Sequence, residues 1–105
     1  MFLGRVVGTV WSSVKWPQAE GLKLLAVRPY AFSDLHGKTA PPAPSHELVV
    51  CADTLDAGVG DNVLVAYGHA ARVAVAEMLG PEEKPPHPID AAVVAVVDQI
   101  EVSAP

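Results

Sequence analysis

The stretch "AGVGDNVLVAYGHAAR", Ala57 to Arg72, sets three glycines, a carboxylate, an apolar run and a basic residue within sixteen positions. Glycine-rich loops that cradle phosphates follow a strand and open a helix, so that backbone amides and the helix N-terminus meet the anion. Here the order is reversed. Gly58 and Gly60 precede Asn62 to Tyr67, an apolar and β-branched run that reads as a strand, and Asp61 puts negative charge where an anion would lie. Gly58 to Asp61 is therefore expected to be a turn whose glycines supply positive φ. Beyond the strand, Ala70 to Leu79 is rich in helix formers and stops at Gly80-Pro81, where a proline cannot continue the helix.

Working outward, Leu3 to Val10 alternates weakly, with Val6, Val10 and the glycines on one side and Arg5, Val7 and Thr9 on the other. Gly4 and Gly8, four apart, would share a strand face, which suits a tightly coiled sheet or the close approach of another chain. Trp16 to Gly21 is a polar connection, and Leu22 to Val27 a second strand closed by Pro29. Arg28 to Glu47 carries four prolines and scattered polar residues and reads as a long, partly extended loop. Leu48 to Ala52 resumes as a third strand. After the helix, a second proline-rich connection, about 80–88, leads to Ile89 to Val102, an apolar run ending in alternation that reads as a fifth strand covered on both faces. The expectation is a mainly β chain: a small, partly open five-stranded barrel with one short helix between strands four and five.

Composition bounds the rest. A chain of 105 residues has room for one domain, 1–105, and one modest core. Half of it is hydrophobic and only 18% charged, with mean hydropathy +0.30. A domain of this size buries only about two-thirds of its extended-chain surface, so apolar surface is left over, which favours self-association. Seven basic residues against twelve acidic give a net charge of −5, with no cluster of cations to meet a phosphate backbone. No apolar run approaches the roughly 20 residues needed to span a bilayer, and "MFLGRVVGTV", interrupted by Arg5, lacks the basic start of a signal peptide. Neither nucleic acid nor membrane is an expected partner. Cys51, the single cysteine, allows no intrachain disulfide, fits a reducing cytoplasm and reads as a small buried hydrophobe.

Reactive constellations do not emerge. His36, His46, His69 and His87 are dispersed, none set three or four residues from another potential ligand in a helical or knuckle arrangement, so no metal is expected. Ser12, Ser13, Ser33, Ser45 and Ser103 lack a nucleophile elbow, and Glu82 and Glu83 sit in a solvated linker. Asp53, Asp56 and Asp61 flank one turn with no calcium-loop spacing. The reading is a non-catalytic assembly component without cofactor.

In order along the chain, "LGRVVGTV", "EGLKLLAVRP", "VVCADTLDAGVGDNVLVAYGHAAR" and "PIDAAVVAVVDQIEV" resemble the EutN/CcmL family, the pentameric vertex proteins of bacterial microcompartments. The resemblance implies an oligonucleotide-binding-like (OB-like) barrel, a cyclic homopentamer in the cytoplasm, and partners among the hexameric and pseudohexameric proteins of a polyhedral shell. Two stretches, Phe32 to His46 and Gly80 to Pro88, are longer than the family's pattern, and His69 and Ala70 stand where small hydroxylated residues are common. By the same resemblance the segment after strand four faces the five-fold axis. Gly68, His69, Ala70 and Arg72 are then candidates for an axial pore rim or its support; His69 alternatively begins the helix, and Arg72 forms a salt bridge within or between subunits. Five copies of His69 near an axis would repel one another when protonated. Candidate interface residues are Gly4, Gly8, Gly58 and Gly60, with Trp11, Trp16 and Phe32, for which core packing is the competing role. Five charges of −5 make about −25 for the ring. An OB-like single-stranded nucleic-acid module is the alternative; it would need exposed cations and aromatics on one face.

Overall fold

A computed structural model describes residues 1–31, 34–35, 47–79 and 88–103. Its strands are β1 (Phe2–Val10), β2 (Leu24–Pro29), β3 (Val49–Asp53), β4 (Asn62–Tyr67) and β5 (Ala91–Val97), with one helix, α1 (Gly68–Leu79), between β4 and β5. The strands close in the order β1-β2-β3-β5-β4. All neighbours are antiparallel except β3 and β5, which run parallel and pair only at Ala52 with Ala92 and Asp53 with Val93. This is the five-stranded OB-like barrel with its helix in the expected place, closed where a partly open one was expected.

Val6, Leu25, Val27, Cys51, Val63, Val65 and Val93 fill the barrel. Their alternation along each strand is what a one-sided sheet requires, because successive side chains point to opposite faces. Two bulges let so short a sheet curl shut. One extra residue, Val7, falls between the pairs Val6–Val27 and Gly8–Ala26; another, Val94, falls between Val65–Val93 and Leu64–Ala95. The first corrects the expectation for the glycines. Inserting Val7 shifts the alternation by one, so Gly4 pairs inward while Gly8 lies on the outer row with Ala26.

Gly4 is the strand glycine whose absent side chain the fold demands. A methyl there would stand 2.6 Å from Val27 Cγ1 and 2.9 Å from the Arg28 carbonyl oxygen. Of the two readings for that position, the close approach is made by this chain's own β2.

On the outside, Ala66, Ala92, Ala52 and Leu24 form one row across four strands. Ala71 and Val75, one helical turn apart, lay α1 on it, with Leu24 and Ile89 at the margins. Small side chains at this row let the helix approach the sheet closely.

The elements differ from expectation in several places. β2 starts at Leu24 and retains Pro29, paired with Gly4 at the strand's end. A single 3-10 turn, Pro17–Ala19, occupies the connection before it. β5 stops at Val97, so the alternation from Asp98 to Val102 has no ladder partner among the described residues. Asp34 and Leu35 are helical within the stretch expected as loop. Phe32, His36, His46 and His87, and the greater part of both proline-rich connections, lie outside the described residues.

Candidate assembly surfaces

The glycine turn has no room for a phosphate because the chain's own carboxylates occupy its amides. Leu55 N–H and Ala57 N–H donate to Asp53 Oδ1 and Oδ2 at 3.0 and 2.8 Å, and Gly58 N–H donates to Asp61 Oδ2 at 2.9 Å. Gly60 N–H donates to Val6 O, and Val6 N–H to Asp61 O, both at 2.9 Å, binding the turn to β1. Gly60 has φ +96°, which suits glycine, whereas Gly58 lies outside the left-handed region; Asp56 is there instead at φ 58°.

Lys23 completes this knot, and its role was not read from the sequence. Its Nζ lies 3.1 Å from Asp53 Oδ2, 3.4 Å from Asp56 Oδ1 and donates to Ala57 O at 2.8 Å. The hydrogen bond to the fully buried Asp53 carboxylate pulls the Lys23 ammonium above its usual range, against the opposing pull of burial. The spacing signal is long-range, thirty residues along the chain, so only the fold reveals it. The conspicuous motif of aspartates and glycines is thus loop architecture.

At the end of β4, Gly68 turns the chain into α1 at φ +59°, its N–H donating to Asp90 O at 2.6 Å. That contact ties the helix start to the approach to β5. His69, Ala70 and Arg72 follow on the exposed side of the first helical turns. Among the described residues neither the His69 nor the Arg72 side chain has a hydrogen-bond or charge partner, so the salt bridge within the subunit considered for Arg72 is not formed there.

Trp11 and Trp16 are 88% and 71% exposed, so neither packs in the core; Val14, between them, is exposed as well. Trp11 Nε1–H donates to Thr9 Oγ1 at 3.1 Å. Between α1 and β5 lies an open groove of about 430 Å³ lined by Leu55, Ala70, Val73, Ala74 and Val94, with Thr54 its hydroxyl-bearing residue. On another side of the barrel the outer row Gly8–Ala26–Val50 crosses β1, β2 and β3 away from the helix; Ala26 at its middle is buried, and Val50, with nearby Val7 and Leu48, is exposed. Sequence reading singled out Gly8 here but missed Val50 and Val73, whose exposure depends on which row α1 covers.

Cys51 is fully buried, and burial, with the nearby Asp90 charge adding, pushes its thiol up to about 11. No group of three potential metal ligands gathers among the described residues. No described helix is long and apolar enough to cross a membrane.

A closed OB-like barrel that leaves large apolar side chains exposed on more than one side is the architecture of a self-assembling subunit. Residues 1–98 match the family described as ethanolamine utilisation protein EutN/carboxysome, and the chain belongs to it. It is 36% identical over 102 residues to the carboxysome shell vertex protein CcmL of Gloeobacter violaceus, covering 97% of this chain and 87% of that one. Against the bacterial microcompartment shell vertex protein GrpN of Rhodospirillum rubrum it is 38% identical over 101 residues, covering 96% and 97%. The solved structure of the Gloeobacter violaceus protein superposes with a TM-score of 0.73 at 33% identity, covering 97% of this chain and 90% of that one. That of GrpN, a pentameric microcompartment shell protein, superposes with a TM-score of 0.70 at 35% identity, covering 99% and 100%.

Proposed function

We propose that this chain is a non-catalytic subunit that closes into a ring of five and caps the vertices of a polyhedral bacterial microcompartment in the cytoplasm. The observation that carries the reading is the set of large apolar side chains exposed on more than one side of one closed barrel. A cyclic ring joins two unlike patches of neighbouring subunits, and it covers such side chains. The pentameric GrpN, aligned over its whole length, supplies the number five.

Within the ring, Gly68, His69, Ala70 and Arg72 at the helix N-terminus form the axial rim or its support, the charges of Arg72 then finding partners across subunits. Trp11 and Trp16, standing clear of the barrel, are the anchors offered to the neighbouring hexameric shell proteins, since exposed aromatics dominate contact energetics. The nucleic-acid alternative finds no support: Lys23 is committed to Asp53 and Asp56, and Arg28 is buried.

Native mass spectrometry tests the ring. A species near five times 11.0 kDa is expected, and a chain that stays single at micromolar concentration removes the reading.

A further inference from the structure

Two of the chain's three arginines stand face to face across the sheet. Arg5 on β1 pairs with Arg28 on β2 and, on its other side, with Asn62 on β4. The adjacent residues Val6, Val27 and Val63 are buried in the core, so Arg5, Arg28 and Asn62 share the outer face as one row. Cross-strand partners stand about 5 Å apart at Cα, and like charges so placed repel and weaken a sheet. The chain holds twelve acidic residues against seven basic ones, yet among the described residues none forms an ion pair with Arg5. Asp61, next to Asn62, has its Oδ2 taken by the Gly58 N–H, and Asp98, beyond Val97 at the end of the row, does not reach it either.

Tyr30 fixes the surroundings of Arg5. The Arg28 Cζ lies over the Tyr30 ring, 5.6 Å from its centroid, and the Tyr30 hydroxyl donates to Asn62 Oδ1 at 2.7 Å. That bond takes up the amide oxygen and leaves the Nδ2 hydrogens of Asn62 as donors on that side of Arg5. Arg28 is 7% exposed and engaged inside the subunit, so it acts as a stationary positive charge. Arg5 is partly exposed and is the arm that a solute can reach. The row thus offers donors and positive charge on a prepared frame, which is the chemistry that recognises an oxygen-bearing anion.

We propose that Arg5, with the Arg28 guanidinium on one side and the Asn62 amide on the other, binds a small oxyanion, a carboxylate or a phosphate. The Arg5 fork meets two oxygens of the anion, the Asn62 amide donates to one of them, and Arg28 adds its charge from beneath. A bound anion turns the repulsion between the two arginines into shared attraction. The site lies within one subunit, so it is read whether or not copies close into a ring.

Isothermal titration calorimetry with inorganic phosphate, and separately with malonate, against chloride of equal ionic strength tests it. One equivalent of either anion per chain is expected. Arg5→Gln should weaken binding about tenfold or more, the loss of one charge-assisted hydrogen bond. Arg5→Lys, which keeps the charge without the fork, should fall between. Asn62→Asp keeps an oxygen for Tyr30 and sets a carboxylate beside Arg5, so it should silence the titration. Arg72→Gln, which alters the exposed arginine on α1, should bind as the unaltered chain does. Circular dichroism verifies the fold of each variant. No binding by the unaltered chain overturns the site, as does undiminished binding by Arg5→Gln or an equal loss in Arg72→Gln. Should Arg5→Gln fail to fold, Asn62→Asp decides, and undiminished binding there overturns the site.

Discussion

At the scale of single residues, the fold distinguishes glycines that composition treats alike. Gly4 has no space for a methyl, because the obstructing atoms are a core valine and a backbone oxygen that cannot swing aside. Gly4→Ala should lower stability by about 1–3 kcal/mol through overpacking. Gly58 meets nothing within 4 Å and has no positive φ, so Gly58→Ala should be neutral or stabilise by up to about 1 kcal/mol by narrowing the unfolded ensemble. Urea midpoints at one fixed protein concentration compare the two; equal losses would contradict the packing described at Gly4. The sequence marked both glycines as places where backbones approach. It could not tell them apart, because what stands opposite Gly4 is decided by pairing with β2, more than twenty positions away, and by the bulge at Val7.

Among the elements, strands and helix were legible wherever their own side chains paid out a periodic signal: β1, β3, β4 and α1 lie within one or two residues of expectation. The last strand was read too long because Ile100 and Val102 continue an alternation that no partner strand takes up in the described chain. The candidate surfaces were less legible. An exposed valine looks like a buried one in sequence, and only the course of α1 over the alanine row separates them. The turn from Asp53 to Asp61 carries the testable electrostatics. Removing the Asp53 carboxylate leaves two backbone donors and Lys23 without their acceptor, so Asp53→Ala should cost about 3 kcal/mol. Because the folded state holds the Lys23 proton above the ordinary pKa of 10.5, the stabilisation from this contact is whole below that pH and fades as pH climbs through the raised value. Melting temperatures of wild type and Lys23→Met should differ by a constant amount from neutrality to about pH 9 and converge in stronger alkali. A gap that closes at acid pH instead would contradict the assignment.

For the whole molecule, the buried Cys51 leaves a clean background for placing α1 in the ring, since a fully shielded thiol with its pKa pushed up to about 11 is inert to mild reagents. His69→Cys then carries one accessible thiol per subunit. If the helix N-terminus lines the axis, a short bis-maleimide links neighbours in pairs, and in a ring of five the covalent dimer saturates at about four-fifths of the chain, one subunit always left over. Gel electrophoresis after quenching reads the fraction, and an absence of dimer in an intact pentamer would place His69 away from the axis.

The parallel meeting of β3 and β5 rests on two residue pairs, fewer than any other join in the sheet, and α1 lies across its outer side through Ala71, Ala52 and Ala92. The helix is therefore a hasp over the barrel's shortest seam. Whatever presses that hasp down also keeps the staves together, so the packing of one helix on three alanines guards the closure of the whole sheet.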